Sequence, residues 1–420
     1  MITETESNRG GLPHAVFLQR VADEPATSPD VRLGQGAFLT LRFVDLLAPD
    51  REPPAPDVFR YQWAATERYC AELAGEGTEA AHLSCIVRAT GEAHQTGERH
   101  QIAPALFAYA LYLEQESHLE EAEDALLTLL SLGEDLLRPA DLLAAWMRLG
   151  RVRRLKTEFD QADEAYNRAG IIASRIGDRQ ALLFSRIGHC NVLYFRGNLS
   201  EADHNWRAVL ADAQNSGFKR IEGEAEHGLG NVLHRRGLTH EGIPHLWRAY
   251  ELYEEPEYQL RALGDLGLSF AAIGNIESAE QALREVVRRA PTGEAATNAK
   301  IELMYCASFR QDRLGFERWR ESAIQGFEQV APNIRADYHL KAGIGLARFG
   351  FYPRAENELR QASAIAVAHG LNELAFRVDR MLGGLKECGV PESIENAASE
   401  SRSDSASLKE VSASLAALGS

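Results

Sequence analysis

Cysteine is scarce in this sequence, and the five cysteines that occur are widely spaced. None belongs to a Cys-x-x-Cys pair, which argues against a zinc ribbon, a redox motif or a disulfide scaffold. The pattern favours reduced, mostly buried thiols in a cytoplasmic protein. The N-terminus contains Glu4 and Glu6 and no apolar stretch, so no signal peptide is expected. No run of eighteen apolar residues occurs, so no membrane span is expected.

Motifs of catalysis and cofactor binding are also missing. The chain contains no GxxxxGK[ST] phosphate loop, no G-x-S-x-G nucleophile elbow and no H-E-x-x-H zinc motif. Four histidines lie close together in sequence, but only His227 and His234 are spaced to share a helix face, and a metal site needs a third ligand. We therefore expect no enzyme activity, no cofactor and no metal site.

Basic residues are outnumbered: 45 Lys and Arg stand against 61 Asp and Glu, which gives a net charge of −16. Such an acidic chain is not expected to bind nucleic acid or an anionic membrane surface. Alternating segments rich in Val, Ile and Thr are nearly absent, so little sheet is expected. A hydrophobic fraction of 45% nevertheless permits a full core, which favours an all-α protein.

What the sequence does contain is an internal repeat. The segment CNVLYFRG at 190–197 returns as GNVLHRRG at 230–237, forty residues later. The offset persists downstream, where Ala202 corresponds to Gly242. Self-similarity at a fixed period of this length is typical of a solenoid.

A second motif indicates the kind of solenoid. The segment WMRLG at 146–150, followed by Ala162 and Tyr166, has the W-x2-L-G…A-x3-F order of the tetratricopeptide repeat, and the chain resembles that family over roughly residues 100–370. The resemblance implies antiparallel helices, A and B, stacked as a right-handed all-α solenoid. Small residues would lie where A and B cross, and glycines would end the A helices. At Thr157 this glycine is missing, so a different turn is expected there.

The small residue of each B helix marks the repeats. The first three intervals between markers are 40 residues, the next is 37 and the last is 76. Because 76 is twice 38, a further repeat must lie around Phe316, which gives about seven repeats. A period above about 34 implies helices roughly one turn longer than usual. The markers are Ala122, Ala162, Ala202, Gly242, Ala279 and Ala355.

The N-terminal segment is expected to be mostly flexible. Residues 1–56 include six prolines between positions 25 and 56, which break any long helix. One apolar stretch at 37–47 is either a helix or a strand. In an extended segment, the carboxylates between Asp45 and Asp57 could occupy a basic groove as an internal inhibitor.

The remaining boundaries follow from periodicity and composition. Residues 57–100 are expected to form a degenerate leading helical pair, 101–370 the repeats, and 371–389 a capping helix. Residues 390–420 are rich in Ser, Glu and Ala and are expected to be a disordered tail. An alternative is that the end of this tail packs on a surface, since four residues have helical spacing: Leu408, Val411, Leu415 and Leu418.

The resemblance also implies which residues face a partner. In this family the A helices line a concave groove, and the residue after the crossing position points into it. Asn191 and Asn231 hold that place in successive repeats, and an asparagine amide can pair with the backbone of an extended peptide. Arginines and histidines beside them could hold acidic side chains or a terminal carboxylate. The predicted groove residues are Arg151, Arg154, Asn191, Tyr194, His227, Asn231, His234, Arg235 and Arg261.

The sequence therefore predicts a non-enzymatic scaffold that binds another protein or peptide, with acidic groups among its ligands. The carboxylate-clamp subgroup carries a lysine one turn before its asparagine, whereas Ile187 and His227 stand there in this chain. Three alternatives stay open: a merely solvated polar face, a peptide-responsive regulator whose superhelix changes shape, and a structural protein that assembles by swapping Leu408–Leu418.

Overall fold

The structure is a computed structural model that describes residues 12–20, 28–49, 55–133, 135–327, 330–369, 371–388 and 406–418. All regular elements in these ranges are helices, and no strand occurs within them. The predicted all-α fold of helix-turn-helix repeats is therefore confirmed. None of the described helices is long and apolar enough to cross a membrane. The chain divides into two compact units, residues 1–197 and 198–420.

In its described residues the first unit contains eight α-helices. They are α1 (Pro29–Val44), α2 (Pro56–Glu72), α3 (Thr78–Thr96), α4 (Ala103–Gln115), α5 (Leu119–Ser131), α6 (Pro139–Leu155), α7 (Phe159–Ile176) and α8 (Arg179–Arg196). Short 3-10 helices lie at Ala15–Leu18, Asp45–Leu47 and Arg99–Ile102. Helix α3 packs against α1, α2 and α4, and from α4 onward each helix packs against the next. Helices α4, α6 and α8 are A helices, and α5 and α7 are B helices.

The described part of the second unit contains eleven α-helices. They are α9 (Leu199–Ser216), α10 (Lys219–Arg235), α11 (Thr239–Leu252), α12 (Pro256–Ala272), α13 (Ile276–Arg289), α14 (Glu294–Phe309), α15 (Arg313–Ile324), α16 (Pro332–Arg348), α17 (Tyr352–Ala368), α18 (Asn372–Cys388) and α19 (Ala406–Leu418). Consecutive helices pack together from α9 to α15, and α16 packs against α14 and α17. Helices α10, α12, α14 and α16 are A helices, and α9, α11, α13, α15 and α17 are B helices. Helix α18 packs on α17.

Glycine on the A helix allows the B helix to approach closely. A Cβ atom at Gly230 would lie 2.6 Å from Leu246, and one at Gly267 would lie 2.6 Å from Leu283. The large B-helix residue thus fills the space that the glycine leaves, at the density of a protein interior. The prediction that small residues lie where helices A and B cross is confirmed at Gly230 and Gly267.

The turn that ends each A helix has the same backbone conformation with and without glycine. Gly237 has φ 81°, whereas Thr157 has φ 64° and Gln311 has φ 57°. After each of them, the next N–H reaches back to the carbonyl five residues earlier. The expectation of a different turn at Thr157 is therefore wrong, because these hydrogen bonds hold a non-glycine residue in the left-handed region at a cost of about 1–3 kcal/mol.

The turn at Gln311 also sets the register of the repeat placed around Phe316. Gln311 follows Met304 by seven residues, the spacing that separates Gly237 from Gly230. Met304 therefore stands at the crossing position, and it is fully buried. Phe316 is also fully buried, on α15. The repeat is thus formed without the glycine signals that mark its neighbours.

The N-terminal segment is more ordered than the sequence suggested. Helix α1 packs against α3, and the 3-10 helix Ala15–Leu18 packs against α1 and α5. Arg20 is nearly buried and donates hydrogen bonds to Glu79, at 2.9 Å, and to Glu121. A buried guanidinium persists only when it is paired, so Arg20 attaches this segment to helices far along the chain.

A buried histidine adds a second attachment. His14 Nδ1 lies 2.5 Å from Asp124, and its Nε2 lies 3.2 Å from Asp45. The expectation of flexibility for residues 1–56 is therefore wrong for 12–20 and 28–49, because paired charges hold them. The inhibitor hypothesis also loses Asp45, which is buried beside His14; Asp50 and Glu52 lie outside the described residues.

Part of the predicted disordered tail is a helix. Helix α19 packs against α11 and α13, with three of its apolar residues on one buried face. The expectation of disorder is wrong for residues 406–418, because apolar residues at helical spacing meet an apolar surface of the repeats. The three buried residues are Leu408, Val411 and Leu415. Residues 389–405 lie outside the described ranges.

A first prediction concerns the close backbone approach between α10 and α11. A Cβ atom at Gly242 would lie 2.7 Å from the backbone oxygen of Gly230, which cannot move without shifting α10. Gly242→Ala should destabilise the protein by about 1–3 kcal/mol, measured as a lower thermal midpoint by circular dichroism. Gly264→Ala is the matched control, since nothing lies within 4 Å, and it should stabilise by up to about 1 kcal/mol. Equal midpoints for the two variants would contradict this account.

A second prediction concerns His14. Burial lowers the pKa of His14, but hydrogen bonds and charges from Asp124 and Asp45 outweigh burial and raise the pKa from 6.5 to about 9. A raised pKa stabilises the folded state fully below 6.5, and this stabilisation is lost as pH rises through about 9.

His14→Gln should therefore lower the thermal midpoint most near pH 6, and the difference from wild type should vanish above about pH 9. The exposed His204 gives the control variant His204→Gln, for which no such trend is expected. A midpoint difference that stays constant from pH 6 to pH 10 would mean that the His14 charge does not hold the segment.

Candidate functional site

The candidate site is the face formed by side-by-side A helices, considered separately in each unit. Helices α4, α6 and α8 contact in turn in the first unit, as α10, α12, α14 and α16 do in the second. We call this the A-helix face. In the first unit it comprises Glu114, Arg148, Arg151, Arg154, Asn191 and Tyr194. In the second unit it comprises Glu224, His227, Asn231, Arg261, Asp265, Glu302, Tyr305, Lys341 and Arg348.

A carboxylate that the sequence analysis missed is central to the second unit. Asp265 on α12 accepts a hydrogen bond from His227 Nε2 at 2.7 Å and one from Asn231 Nδ2 at 3.1 Å. Both donors belong to α10. Two of the predicted groove residues are thus brought together, and both are engaged by the next repeat of the same chain.

The network continues from His227 through Tyr253 to Arg261. The Tyr253 hydroxyl lies 3.2 Å from His227 Nδ1, and Arg261 donates to that hydroxyl at 3.3 Å and to Glu224 at 3.1 Å. In the tautomer that carries its proton on Nε2, His227 donates to Asp265 and accepts at Nδ1 from the Tyr253 hydroxyl. His227 is 3% exposed, so it is a buried group held by its own chain rather than an open ligand contact.

The network also sets the charge state of its carboxylate. Burial raises the pKa of Asp265, but the hydrogen bond and charge of His227, the hydrogen bond from Asn231 and the charge of Arg261 together lower it below its ordinary value. Burial raises the pKa of Tyr253 well above its ordinary value, so the hydroxyl keeps its proton. Asp265 is therefore an anion that orients two donors from the preceding repeat.

Asn231 keeps groups that can still bind a ligand. Its amide has two N–H groups and a carbonyl, and the hydrogen bond to Asp265 uses one N–H. The carbonyl and the other N–H have no recorded partner among the described residues. Because Asp265 fixes the orientation of the amide, these groups point in a defined direction.

The other two predicted residues of α10 behave differently. His234 Nδ1 lies 3.3 Å from the hydroxyl of Thr239, at the turn that leads into α11. Burial lowers the pKa of His234, against a smaller opposing effect of Asp265. Arg235 is exposed. His234 is thus a neutral group directed toward its own hairpin.

In the first unit, the predicted cations are also met by groups of the same chain. Arg148 and Arg151 on α6 both pair with Glu114 on α4. The Arg154 guanidinium lies 4.7 Å from the ring centre of Phe195 on α8. Tyr194 packs edge-on against the same ring, at 5.2 Å between ring centres. Asn191 is half-buried on the same helix.

A second group on the face was not found from the sequence. On α16, Arg348 donates to Ser308 at 2.7 Å and to the Tyr305 hydroxyl at 3.3 Å. Its guanidinium carbon lies 3.6 Å from the ring centre of Phe309, so it stacks on that ring. Among the described residues, no carboxylate pairs with Arg348.

Lys341, on the same helix as Arg348, is paired with carboxylates instead of hydroxyls. Lys341 pairs with Glu302 and, at 2.5 Å, with Asp337. Burial lowers the pKa of Lys341, but the two carboxylates outweigh burial and raise it. Arg348 is the last residue of the same helix. Among the described residues it contacts hydroxyls and aromatic rings but no carboxylate. Both residues lie on α16, and Gly350 just after it was a sequence signal that could have placed them in register. Their partners Tyr305, Ser308 and Glu302 lie on α14, which has no glycine at its end.

The four neighbouring histidines do not converge. His227 contacts Asp265, whereas His245 on α11 contacts Glu226. Within the described ranges, no group of three or more His, Cys, Asp or Glu side chains is arranged to hold a metal ion.

A third prediction concerns Asp265. Asp265→Asn removes the charged acceptor of the hydrogen bonds from His227 and Asn231. This should lower the free energy of unfolding by about 1.5–3 kcal/mol at neutral pH. Because the folded pKa is depressed, this stabilisation is present above the unfolded value of about 3.9 and is lost as pH falls through the lower folded value.

The urea midpoints of wild type and Asp265→Asn should therefore converge below about pH 4. The exposed Asp379 provides the control Asp379→Asn, whose midpoint should follow wild type throughout. A pH-independent gap between wild type and Asp265→Asn would show that shape, rather than charge, explains the loss.

Comparison with known proteins agrees with this architecture. Residues 222–292 match the family described as tetratricopeptide repeat, and this range covers most of α10 and all of α11, α12 and α13. The search of curated proteins found no match to this sequence.

Solved structures with a similar fold have low sequence identity. One is the apo form of the quorum sensor NprR from B. thuringiensis: identity is 10%, the match covers 83% of this chain and 91% of that chain, and the TM-score is 0.52. Another is the Rap conjugation gene regulator of the plasmid pLS20, with 13% identity, 79% and 97% of the two chains covered and a TM-score of 0.49. At 10% identity the likeness to the NprR structure concerns the fold alone. The family match identifies tetratricopeptide repeats in residues 222–292, the same repeats that carry the His227–Asp265 network.

Proposed function

We propose that the A-helix face of the second unit binds an extended segment of another protein or a peptide. The observation that carries the proposal is the state of Asn231. Its amide is oriented by Asp265 yet keeps a carbonyl and an N–H for a ligand. A donor and an acceptor on one fixed group match the alternating groups of a peptide backbone. Fixing the amide beforehand reduces the entropy lost on binding.

Arg348 supports an acidic ligand. It is a guanidinium without a carboxylate partner among the described residues, and its orientation is set by Tyr305, Ser308 and Phe309. A planar guanidinium binds a carboxylate through two parallel hydrogen bonds. The chain neutralises Lys341 and Arg261 with its own carboxylates, so Arg348 is the group available to a ligand's Asp, Glu or terminal carboxylate.

Apolar side chains lie on the same set of A helices. Leu268 on α12 and Phe309 on α14 are each 38% exposed. Sites for peptides and small ligands combine such apolar contacts with a few fixed polar groups. A ligand with one acidic and one apolar side chain therefore fits this face better than a highly charged one. This function is binding and needs no catalytic group.

A second candidate function is a regulator that responds to its ligand. One observation favours it: His227 and Asn231 connect α10 to α12 through Asp265, so a ligand that competes for Asn231 changes the contact between two repeats. NprR, which has a similar fold, is a quorum sensor. Hydrogen exchange of α10 and α12 with and without ligand distinguishes the two functions, since a pure scaffold predicts protection at the contact residues only.

A fourth prediction tests the binding face. Random peptides displayed on phage should yield ligands of the full-length protein, and the selected sequences should be enriched in Asp or Glu. Arg348→Ala should weaken these peptides about 10- to 100-fold, as expected for a charged hydrogen bond of about 1.5–3 kcal/mol. Asn231→Ala should weaken them about 3- to 10-fold.

Matched controls lie on B helices of the same unit. Asn205→Ala on α9, at a half-buried position, and Arg284→Ala on α13, at an exposed one, remove the same groups away from the A-helix face and should leave affinity unchanged. Replacing the peptide's acidic residue by its amide should weaken wild type but not Arg348→Ala. Selection that yields no ligand, or ligands indifferent to both A-helix substitutions, would rule out this face as the binding site.

A further inference from the structure

The C-terminal helix α19 lies on B helices rather than on the A-helix face. Its contacts are chiefly with α11 and α13, two consecutive B helices. Three of its apolar residues are buried, and a fourth packs at the edge of the same apolar cluster. That cluster also contains Leu246 of α11 and Leu283 of α13. The four α19 residues are Leu408, Val411, Leu415 and Leu418.

A hydroxyl pair sets the register of this contact. The Oγ atoms of Ser278 and Ser412 lie 3.0 Å apart. Ser278 is 3% exposed, in the first turn of α13, and Ser412 lies between the buried Val411 and Leu415 in sequence. A polar pair inside an apolar contact favours one alignment over the neighbouring ones, because a shifted helix leaves Ser278 without this partner.

Helix α19 is an addition to the repeats rather than one of them. Helix α18 packs on α17, two repeats beyond α13, and seventeen residues, 389–405, separate it from α19. Helices α11 and α13 each pack against their own A helices without it. In repeat proteins stability comes from contacts between neighbouring repeats, so removing α19 leaves those contacts in place.

The short length of α19 makes its folding depend on the surface that it contacts. A helix of 13 residues is marginal in water by itself, so α19 depends on its docking surface to stay folded. Its polar face is exposed and its apolar face is buried, as in a peptide helix bound to a groove. Docking and folding of this segment are therefore one event, which local unfolding can reverse without disrupting the repeats.

We infer that the surface formed by α11 and α13 is a helix-docking site whose resident occupant is the chain's own segment 406–418, held reversibly. The site recognises an amphipathic helix with apolar residues at positions i, i+3, i+7 and i+10 and a hydroxyl residue at i+4. Because the occupant is covalently attached, a free helix competes with it at a disadvantage. This inference concerns B helices and does not depend on the proposed function of the A-helix face.

The docking is tested first by a disulfide. The 3.0 Å between the two hydroxyl oxygens suits a Ser278→Cys/Ser412→Cys double variant, since a disulfide needs its sulfurs about 2 Å apart. Mild oxidation of the full-length variant should give a crosslink within one chain, identified by mass spectrometry of the unreduced digest, and Ser412→Cys alone should not. No crosslink between the two positions, or one between two chains, would overturn the inference that the segment occupies its own site.

Reversibility is tested with a labelled synthetic peptide of residues 406–418. Val411→Asp/Leu415→Asp in the full-length protein should release α19 and bind the peptide at least tenfold more tightly than wild type. Ala413→Asp/Ala416→Asp adds the same charges on the exposed side of α19 and should behave as wild type. The oxidised double-cysteine protein should not bind the peptide until it is reduced.

Two controls make the outcomes decisive. A peptide that itself carries both aspartates should bind none of the proteins, and circular dichroism should show equal helix content in the repeats. Comparing the oxidised and reduced forms of the double-cysteine protein avoids any substitution in the apolar face. Absence of binding by the released variant, or equal binding by the locked and reduced forms, would show that α19 is a fixed part of the fold.

Discussion

The structure depends on one steric constraint, the close crossing of two helices where one of them has no side chain. Leu246 fills the space above Gly230, and Leu283 does the same above Gly267. Each crossing allows one register, since a shift of one residue would bring a side chain into the space of the leucine. The residue that follows the glycine then points away from the B helix. Asn231 is placed on the A-helix face by the packing at Gly230, so core and site are specified together.

Charge within this face is mostly satisfied by the chain itself. The protein carries an excess of carboxylates, and several of them meet cations of an adjacent repeat, as Glu224 meets Arg261 and Glu114 meets Arg151. Burying a charged group without a partner is costly, so these pairs stabilise the contact between repeats before any ligand arrives. In the proposed binding mode, a ligand recognises the unused groups of Asn231 and the guanidinium of Arg348, which meets no carboxylate among the described residues. Specificity would then follow from the groups that the fold leaves for a ligand.

The A-helix face of the second unit and the surface that α19 covers share two repeats. Helices α10 and α12 carry Asn231 and Asp265, and their B helices α11 and α13 hold α19. In each of these hairpins the A helix faces one surface and the B helix the other. The two proposed ligands would therefore contact different side chains. Any effect of one ligand on the other must pass through the α10–α11 and α12–α13 crossings, and it would be equal in both directions.

The sequence by itself determined the helical fold, the A and B pairing and the place of Asn231, because glycines and small residues recur at fixed spacing and local geometry follows from them. It did not determine the partners of those residues. Asp265 was missed because its contacts join α10 to α12, which are distant in sequence. The partners of Arg348 were missed because the helix that carries them ends at Gln311, in a glycine-like turn without glycine. The composition of residues 1–56 and 390–420 indicated disorder. Only the tertiary structure supplied the carboxylates around the buried His14 and the apolar surface under Val411 that order parts of both ends.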